Sequence, residues 1–280
     1  MNNTIIKTIN IRGRLVSLDT PLVMGILNIT PDSFYESSRC IDTQKALQRA
    51  KQIIEEGGDI IDVGAYSSRP GAEDVSEEEE IARLRSVLPA IREQYPDAII
   101  SVDTFRSKVA RYVVEECGAD IINDIMGGEG DKDMFKTIAE LKVPYILMHM
   151  RGTPQTMQEK TEYDNIMVEM IEYFSEKIEK LRLLGVCDVI LDPGFGFAKS
   201  LEQNYNIVKN LSDIAQIKLP LLVGVSRKSM IYRPLNVSPT ESLIGTVALN
   251  TLALTKGADI LRVHDVKECV ETIKIFELSK

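Results

Sequence analysis

Eight short runs along the 280-residue chain share one pattern, an apolar and often β-branched stretch that ends in a polar or charged residue. They read LVMGILN (22–28), DIIDVGA (59–65), AIISVDT (98–104), DIINDI (120–125), PYILMHM (144–150), DVILDPG (188–194), LLVGVSR (221–227) and DILRVHD (259–265). Continuous hydrophobicity of this length marks strands covered on both faces, as in a parallel sheet flanked by helices. Between them, KALQRAKQIIEEGG, EEEEIARLRSVLPAIREQ, NIMVEMIEYFSEKIEKLRLLG and ESLIGTVALNTLALTKG have helical spacing. Gly57, Gly118, Gly185 and Gly257 stand just before the next strand, where a left-handed helix cap belongs. Glu77 to Glu80 read as an acidic first turn, favourable for the helix dipole.

An eight-fold alternation of strand and helix either closes into a barrel or lies open as a doubly wound sheet. Closure is favoured, because LNITPDSF after the first strand lacks the glycine-rich phosphate fingerprint common in open sheets. The expectation is an α/β fold, a (β/α)8 TIM barrel formed by residues 1–280 as a single domain. Its first segment, IIKTINIRGRLVSLD, alternates around Gly13 as a β-hairpin does, and residues 1–20 are expected to close the bottom of the barrel.

Charge and composition narrow the function. A net charge of -9 and a pI near 5.0 exclude a general nucleic-acid surface, which needs clustered Lys and Arg. An anionic ligand must therefore be met by a local cluster of cations. The N-terminal residues form no uninterrupted apolar core, and no segment approaches the roughly 20 apolar residues that span a bilayer. A cytoplasmic protein without membrane or nucleic-acid partners is expected. Cys40, Cys117, Cys187 and Cys269 form no C-x-x-C pair, which suits a reducing compartment and offers no zinc motif.

In a closed barrel the chemistry gathers at the C-terminal ends of the strands. In strand order that rim carries Asn28; Ser67, Ser68 and Arg69; Asp103; Asn123 with Asp124; His149; Asp192; Arg227, Lys228 and Ser229; and Arg262 with His264. Each has a plainer reading. Asp62, in mid-strand, reads as a buried hydrogen-bonding carboxylate, Asp103 as a possible helix N-cap, and SSRPG as a turn. No carboxylate stands at a metal-motif spacing from His149 or His264. Jointly, though, several carboxylates at one end of a barrel need ligands or cations beside them. Asp103, Asn123 and Asp192 offer acceptors for a flat heterocycle, Arg262, His264 and Asn28 adjoin the usual phosphate position, and Lys228 lies between the groups. The pattern predicts a planar, guanidine-like head joined to a phosphate or diphosphate.

The motifs MGILNITPDSF, IIDVGAYSSRPGA, ISVDT, IINDI, LMHMRGTPQTMQ, LDPGFGFAKS, LLVGVSRKSMI and LRVHDV closely resemble, in order and nearly end to end, those of the dihydropteroate synthases. The resemblance implies condensation of 6-hydroxymethyl-7,8-dihydropterin diphosphate with 4-aminobenzoate, releasing diphosphate in folate synthesis. It implies that Asp103, Asn123, Asp192 and Lys228 hold the pterin, and that Asn28, Ser68, Arg262 and His264 serve the diphosphate. Asn28 would also be a ligand of Mg2+, and Arg69 and Ser229 would lie near the aminobenzoate. Lys228, Arg262, His264 and Glu36 are the residues expected to carry catalysis. A homodimer through the outer helices is implied as well.

The chain departs from the family pattern in three places. Tyr35, Glu36, Ser37 and Ser38 replace the usual Ser-Asp-Gly-Gly, which puts Glu36 where an acid faces the metal. Gly64, Ala65, Tyr66, Ser67 and Ser68 replace Gly-Gly-Glu-Ser-Thr, and Ala198 replaces a glycine. Two alternatives remain at this level: a barrel transferring a methyl group from methyltetrahydrofolate to a corrinoid protein, and a non-catalytic pterin-binding paralogue. The first leaves SRKS and RVHD unexplained; the altered loops are the best support for the second.

Overall fold

A computed structural model describes residues 7–29, 36–66 and 75–280, with residues 36–42 described by backbone alone. All eight expected runs are strands: β3 (Leu22–Asn28), β4 (Ile60–Gly64), β5 (Ile99–Asp103), β6 (Ile121–Asp124), β7 (Tyr145–Met148), β8 (Val189–Asp192), β9 (Leu222–Val223) and β10 (Ile260–Val263). They pair in parallel in the order β8-β7-β6-β5-β4-β3-β10-β9. A parallel bridge between Leu191 and Leu221, with the Leu191 amide donating to the Pro220 carbonyl at 2.8 Å, joins the two ends into a barrel.

The side-chain alternation along each strand divides the core in two. Outward residues such as Val23, Ile61, Val63, Ile100, Val102, Leu147 and Leu261 pack under the helices. The helices are α1 (Glu36–Glu55), α2 (Glu77–Gln94), α3 (Ser107–Cys117), α4 (Met134–Leu141), α5 (Ile166–Leu183), α6 (Leu201–Lys209), α7 (Leu211–Ala215), α8 (Ser229–Leu235), α9 (Leu243–Thr255) and α10 (Val266–Leu278). The four acids at 77–80 do form the first turn of α2, capped by the Ser76 side chain. Gly57, Gly118, Gly185 and Gly257 all have positive φ, as their cap positions require. No helix among the described residues is long and apolar enough to cross a membrane.

Inward residues form a second, smaller core at the bottom: Met24, Ile60, Ile121, Ile146, Ile190, Leu222 and Ile260. The N-terminal hairpin closes it. Strands β1 (Thr8–Ile11) and β2 (Arg14–Ser17) pair antiparallel around Arg12 and Gly13, whose φ of 51° and 79° give the primed turn that suits strand twist. Ile9, Ile11 and Leu18 are buried against the inward isoleucines. Arg12 fastens the turn by a 3.0 Å ion pair to Asp120, which Arg92 also contacts at 2.7 Å. With the bottom filled by aliphatics, the polar side chains of the same strands are left at the opposite end.

Candidate active site

Two residues further along each strand the inward positions change character. Above Ile60 comes Asp62, level with Ser101 of β5. One step higher, Asn28 pairs with Gly64, Gly64 with Asp103, and Asp103 with Asn123. Asp192 and Arg262 are likewise two residues beyond the inward Ile190 and Ile260. Asn28, Asp103, Asn123, Asp192 and Arg262 line one cavity of about 1470 Å³, together with His264, Lys228 and Ser229, while Asp62 and Ser101 are buried behind its lining. That volume exceeds the usual range for a single small ligand.

The floor of this cavity is a charge network. Asp62 is fully buried and is satisfied three times: Arg262 Nε donates to it at 2.6 Å, the Ser101 hydroxyl at 2.7 Å and Asn123 Nδ2 at 3.2 Å. Asp62 is thus the hydrogen-bonding carboxylate expected of its mid-strand position. Arg262 also reaches Asp103 at 3.4 Å. Burial works against the guanidinium's charge, but Asp62 and Asp103 hold its pKa above the usual value. Arg262 therefore does not stand apart from the carboxylates, as a division of the rim into acceptor and phosphate ends would have it. Asn123 has its Nδ2 occupied while its buried Oδ1 finds no partner among the described residues, so an acceptor is free to meet a ligand N–H.

Burial raises Asp103 to about 7, opposed by Arg262 and reinforced by Asp62, and it raises Asp192 too, against the attraction of Lys228. Lys228 is pushed down to about 8 by burial, with Asp192 opposing and Arg262 adding to the fall. Its ammonium donates to the Phe195 carbonyl at 2.6 Å and lies 4.9 Å from the Phe197 ring centroid. A Cβ at Gly224 would stand 3.7 Å from Arg262 Cβ and 4.0 Å from Lys228 Nζ, ordinary contact distances, so this backbone lies directly against both cations.

At the rim, His264 is lowered to about 4 by burial and by Arg262 and Arg227, so it is a neutral imidazole at pH 7. The Ser226 hydroxyl accepts the His264 backbone N–H at 3.1 Å and lies 3.2 Å from Nδ1. With the hydroxyl proton given to Nδ1, the imidazole proton stays on Nε2, ready to be donated. Arg227 is paired with Asp265 and also lines the cavity. Ser229 opens α8 and Asn28 ends β3, both on the cavity wall.

Other rim candidates go elsewhere. Asp124 and His149 are buried outside the cavity lining. Asp124 accepts from the Met126 and Gly128 amides and from the Tyr145 hydroxyl, shaping the turn after β6. His149 packs edge-on against Tyr173, and burial drives its pKa well down. Asp103 is no helix cap, because α3 begins four residues later at Ser107. Ser68 and Arg69, and the side chain of Glu36, lie outside the described residues.

Two supporting residues, Arg49 and Lys199, escaped the sequence reading, and a third, Ser226, was seen only as part of SRKS. Ser226 orients His264; Arg49 donates to the His264 carbonyl at 2.5 Å. Lys199, buried in the cavity wall, donates to the carbonyls of His149, Gly194 and Phe197 at 2.9–3.1 Å. Of Arg49 and Lys199, only Lys199 carried a signal, as a lysine set directly after an apolar strand loop. Just before it, Ala198 adopts φ 49°, a left-handed conformation costing about 1–2 kcal/mol in a non-glycine residue. Its methyl is fully buried beside Ile125, Met126, Met148, Met150 and Met157, which offsets part of that strain.

The chain is a pterin binding enzyme by family, since that family's pattern matches residues 24–264, the stretch that carries this floor of acids, arginine and lysine. The dihydropteroate synthase of Escherichia coli strain K12 is 44% identical over 96% of this chain and 95% of its own length. Among solved structures, the Yersinia pestis dihydropteroate synthase in complex with a sulfonamide drug superposes with a TM-score of 0.90 at 41% identity, covering 97% of this chain and 98% of that one. The Xanthomonas albilineans enzyme with 4-aminobenzoic acid gives 0.89 at 34%, covering 98% of each. The chain belongs to the dihydropteroate synthases. It is accordingly a transferase, and the corrinoid methyltransferase alternative is not favoured by these relatives.

Proposed function

We propose that the chain condenses 6-hydroxymethyl-7,8-dihydropterin diphosphate with 4-aminobenzoate to give 7,8-dihydropteroate and diphosphate. The observation that carries this reading is the convergence of Asp103, Asn123, Asp192, Lys228 and Arg262 on one cavity, beside a neutral His264. Acceptors on Asp103, Asn123 and Asp192 match the amino and ring N–H groups of a pterin. Lys228 donates to the pterin from above the Phe197 ring. As the methylene–oxygen bond breaks, its electron pair leaves with the diphosphate. Arg262, and the Nε2–H of His264, stabilise the negative charge that grows there. The positive charge left on the methylene is eased by the pterin ring and the carboxylates around it. The neutral arylamine then attacks, and its proton passes to solvent without an obligatory enzyme base.

The donor set also bears on Mg2+. Among the described residues no group of three or more His, Cys, Asp and Glu could cage a metal, while the amide of Asn28 stands on the cavity wall. Mg2+ keeps several waters and is usually held by one or two protein oxygens plus substrate phosphates, so Asn28 fits as its protein ligand. Such an ion would neutralise diphosphate oxygens; Glu36 is proposed as the acid that faces it.

Diphosphate release measured with both substrates, with and without Mg2+, tests this reading. Release should require the two substrates together and fall sharply when the metal is chelated. Tight pterin binding without release would sink the reaction and favour the non-catalytic paralogue.

The homodimer is a further part of this reading. Helix α9 is apolar nearly all round and leaves Ile244 84% exposed and Leu252 46% exposed, with Leu235 of α8 and Ile275 of α10 also exposed. A helix apolar all round wants cover on both sides, and a second copy of the chain supplies it. Light scattering should give the mass of two chains; a monomer at micromolar concentration would refute the pairing.

A further inference from the structure

Tyr66, where the family usually has an acid, stands two residues beyond Gly64, the last residue of β4, and lines the cavity. It is gripped from two other loops. From the loop after β7, the Gln155 amide donates to the Tyr66 hydroxyl at 2.7 Å. From the loop after β5, the Phe105 ring meets the Tyr66 ring edge-on at 5.1 Å. The Arg106 guanidinium lies over both rings, 5.5 Å from the Tyr66 centroid and 5.0 Å from that of Phe105.

Arg106 is itself firmly held. It donates to the buried carboxylate of Glu80 at 2.5 Å and to the Val75 carbonyl at 2.6 Å. Tyr66 and Val75 are the residues on either side of 67–74. One guanidinium thus fastens the chain where it leaves β4 and again where it arrives at α2. Planar Arg suits this double task, because its fork bonds in its plane while its face stacks on rings.

We propose that Tyr66, Arg106 and Gln155 form a clasp that positions the arylamine end of the cavity, with Tyr66 as a specificity-determining wall. This rests on the reaction proposed above. The two ends of the cavity differ in chemistry. Its floor is charged and suits the pterin. The flank near the clasp is apolar: Ile125, Met148 and Met157 line the cavity and belong to a buried cluster against which Phe105 packs, and Met157 is two residues from Gln155. An aryl ring finds its partners there. Because the clasp joins loops from three strands without touching the acids that hold the pterin, loosening it moves one substrate's binding and spares the other's.

The test uses Tyr66→Phe, which keeps both ring contacts but deletes the hydroxyl, and Gln155→Leu, which deletes the donor from an exposed side chain. Each should raise KM for 4-aminobenzoate about 3- to 10-fold, the range expected of one hydrogen bond. KM for the pterin diphosphate and kcat should move by less than about 2-fold, since no contact to the pterin or the diphosphate is lost. The double variant should be no worse than either single one, because both remove the same bond. Equal rises in the two KM values, an unchanged aminobenzoate KM, or fully additive losses would overturn the clasp. Absence of wild-type diphosphate release would instead count against the underlying reaction, so the two failures are told apart.

Discussion

Arg262→Ala is expected to lower kcat/KM for diphosphate release by about 10²- to 10³-fold, the loss typical of one charge-stabilising donor. It should also lower folding stability by about 3–5 kcal/mol, because it strands a buried carboxylate without its cation. Asp62 is that carboxylate, with no exposed surface and a 2.6 Å bond to Arg262 Nε. The two effects can be separated. Adding Asp62→Asn to the alanine variant removes the stranded charge, so the urea midpoint should recover while turnover stays low. Arg262→Lys should not restore activity, since a single ammonium cannot serve Asp62 and Asp103 from two arms of a rigid fork. A variant lacking Arg262 that turned over at the wild-type rate would remove the central support of the proposed reaction.

The second large effect concerns pH. Lys228 sits at about 8 and Asp103 at about 7, both shifted first of all by burial. The reading needs the ammonium and the carboxylate together, so kcat/KM should follow a narrow bell whose acid limb belongs to Asp103 and whose alkaline limb belongs to Lys228. Lys228→Met should remove the alkaline limb and cost about 10²-fold in kcat/KM.

Stability moves the other way. The pKa of Lys228 is depressed from 10.5, so the folded chain prefers the neutral amine, and relative stability is lost as pH falls from above 10.5 through about 8. The pKa of Asp103 is raised from 3.8, so its contribution is full below about 4 and is lost as pH rises through about 7. Near pH 7.5 the ligand-free protein bears both penalties. Thermal melts at that pH should therefore show Lys228→Met and Asp103→Asn unfolding at or above the wild-type temperature, with turnover lost. A flat pH profile, or melts much below wild type, would show that these charges are not held as described.

The legible part of the site was its strand-end position, and a simple parity rule would have sharpened it. Inward residues recur every second position, so Ile60, Asp62 and Gly64 share a face, as do Ile260, Arg262 and His264. Applied to IIND, the rule keeps Asn123 and turns Asp124 away. Applied to YILMH, it keeps Met148 and turns His149 away. That is where the structure puts them, with Asp124 on the Tyr145 hydroxyl and His149 against Tyr173. Pairings across the barrel were not legible. Arg262 meets Asp62 and Asp103 across 200 and 159 residues of chain. Nothing local in RVHD or SVDT announces that contact. Short elements were missed for a related reason: α7 and α8 span five and seven residues, too few for a helical period to stand out.

Periodicity and strand-end chemistry, both local properties of the chain, determined on their own that eight buried strands would alternate with helices, that a hairpin would cap the apolar end, and that the reactive groups would gather at the other. A resemblance in ordered motifs added the reaction. Closure of the barrel decided the rest, because only there do residues from β4, β5, β6 and β10 come within hydrogen-bonding distance. Which acid is neutralised by Arg262, which lysine is left near neutrality, and which tyrosine wedges between three loops depend on distances and on exclusion of water. Those are set by how the strands are brought together in space, and no run of neighbouring residues encodes them.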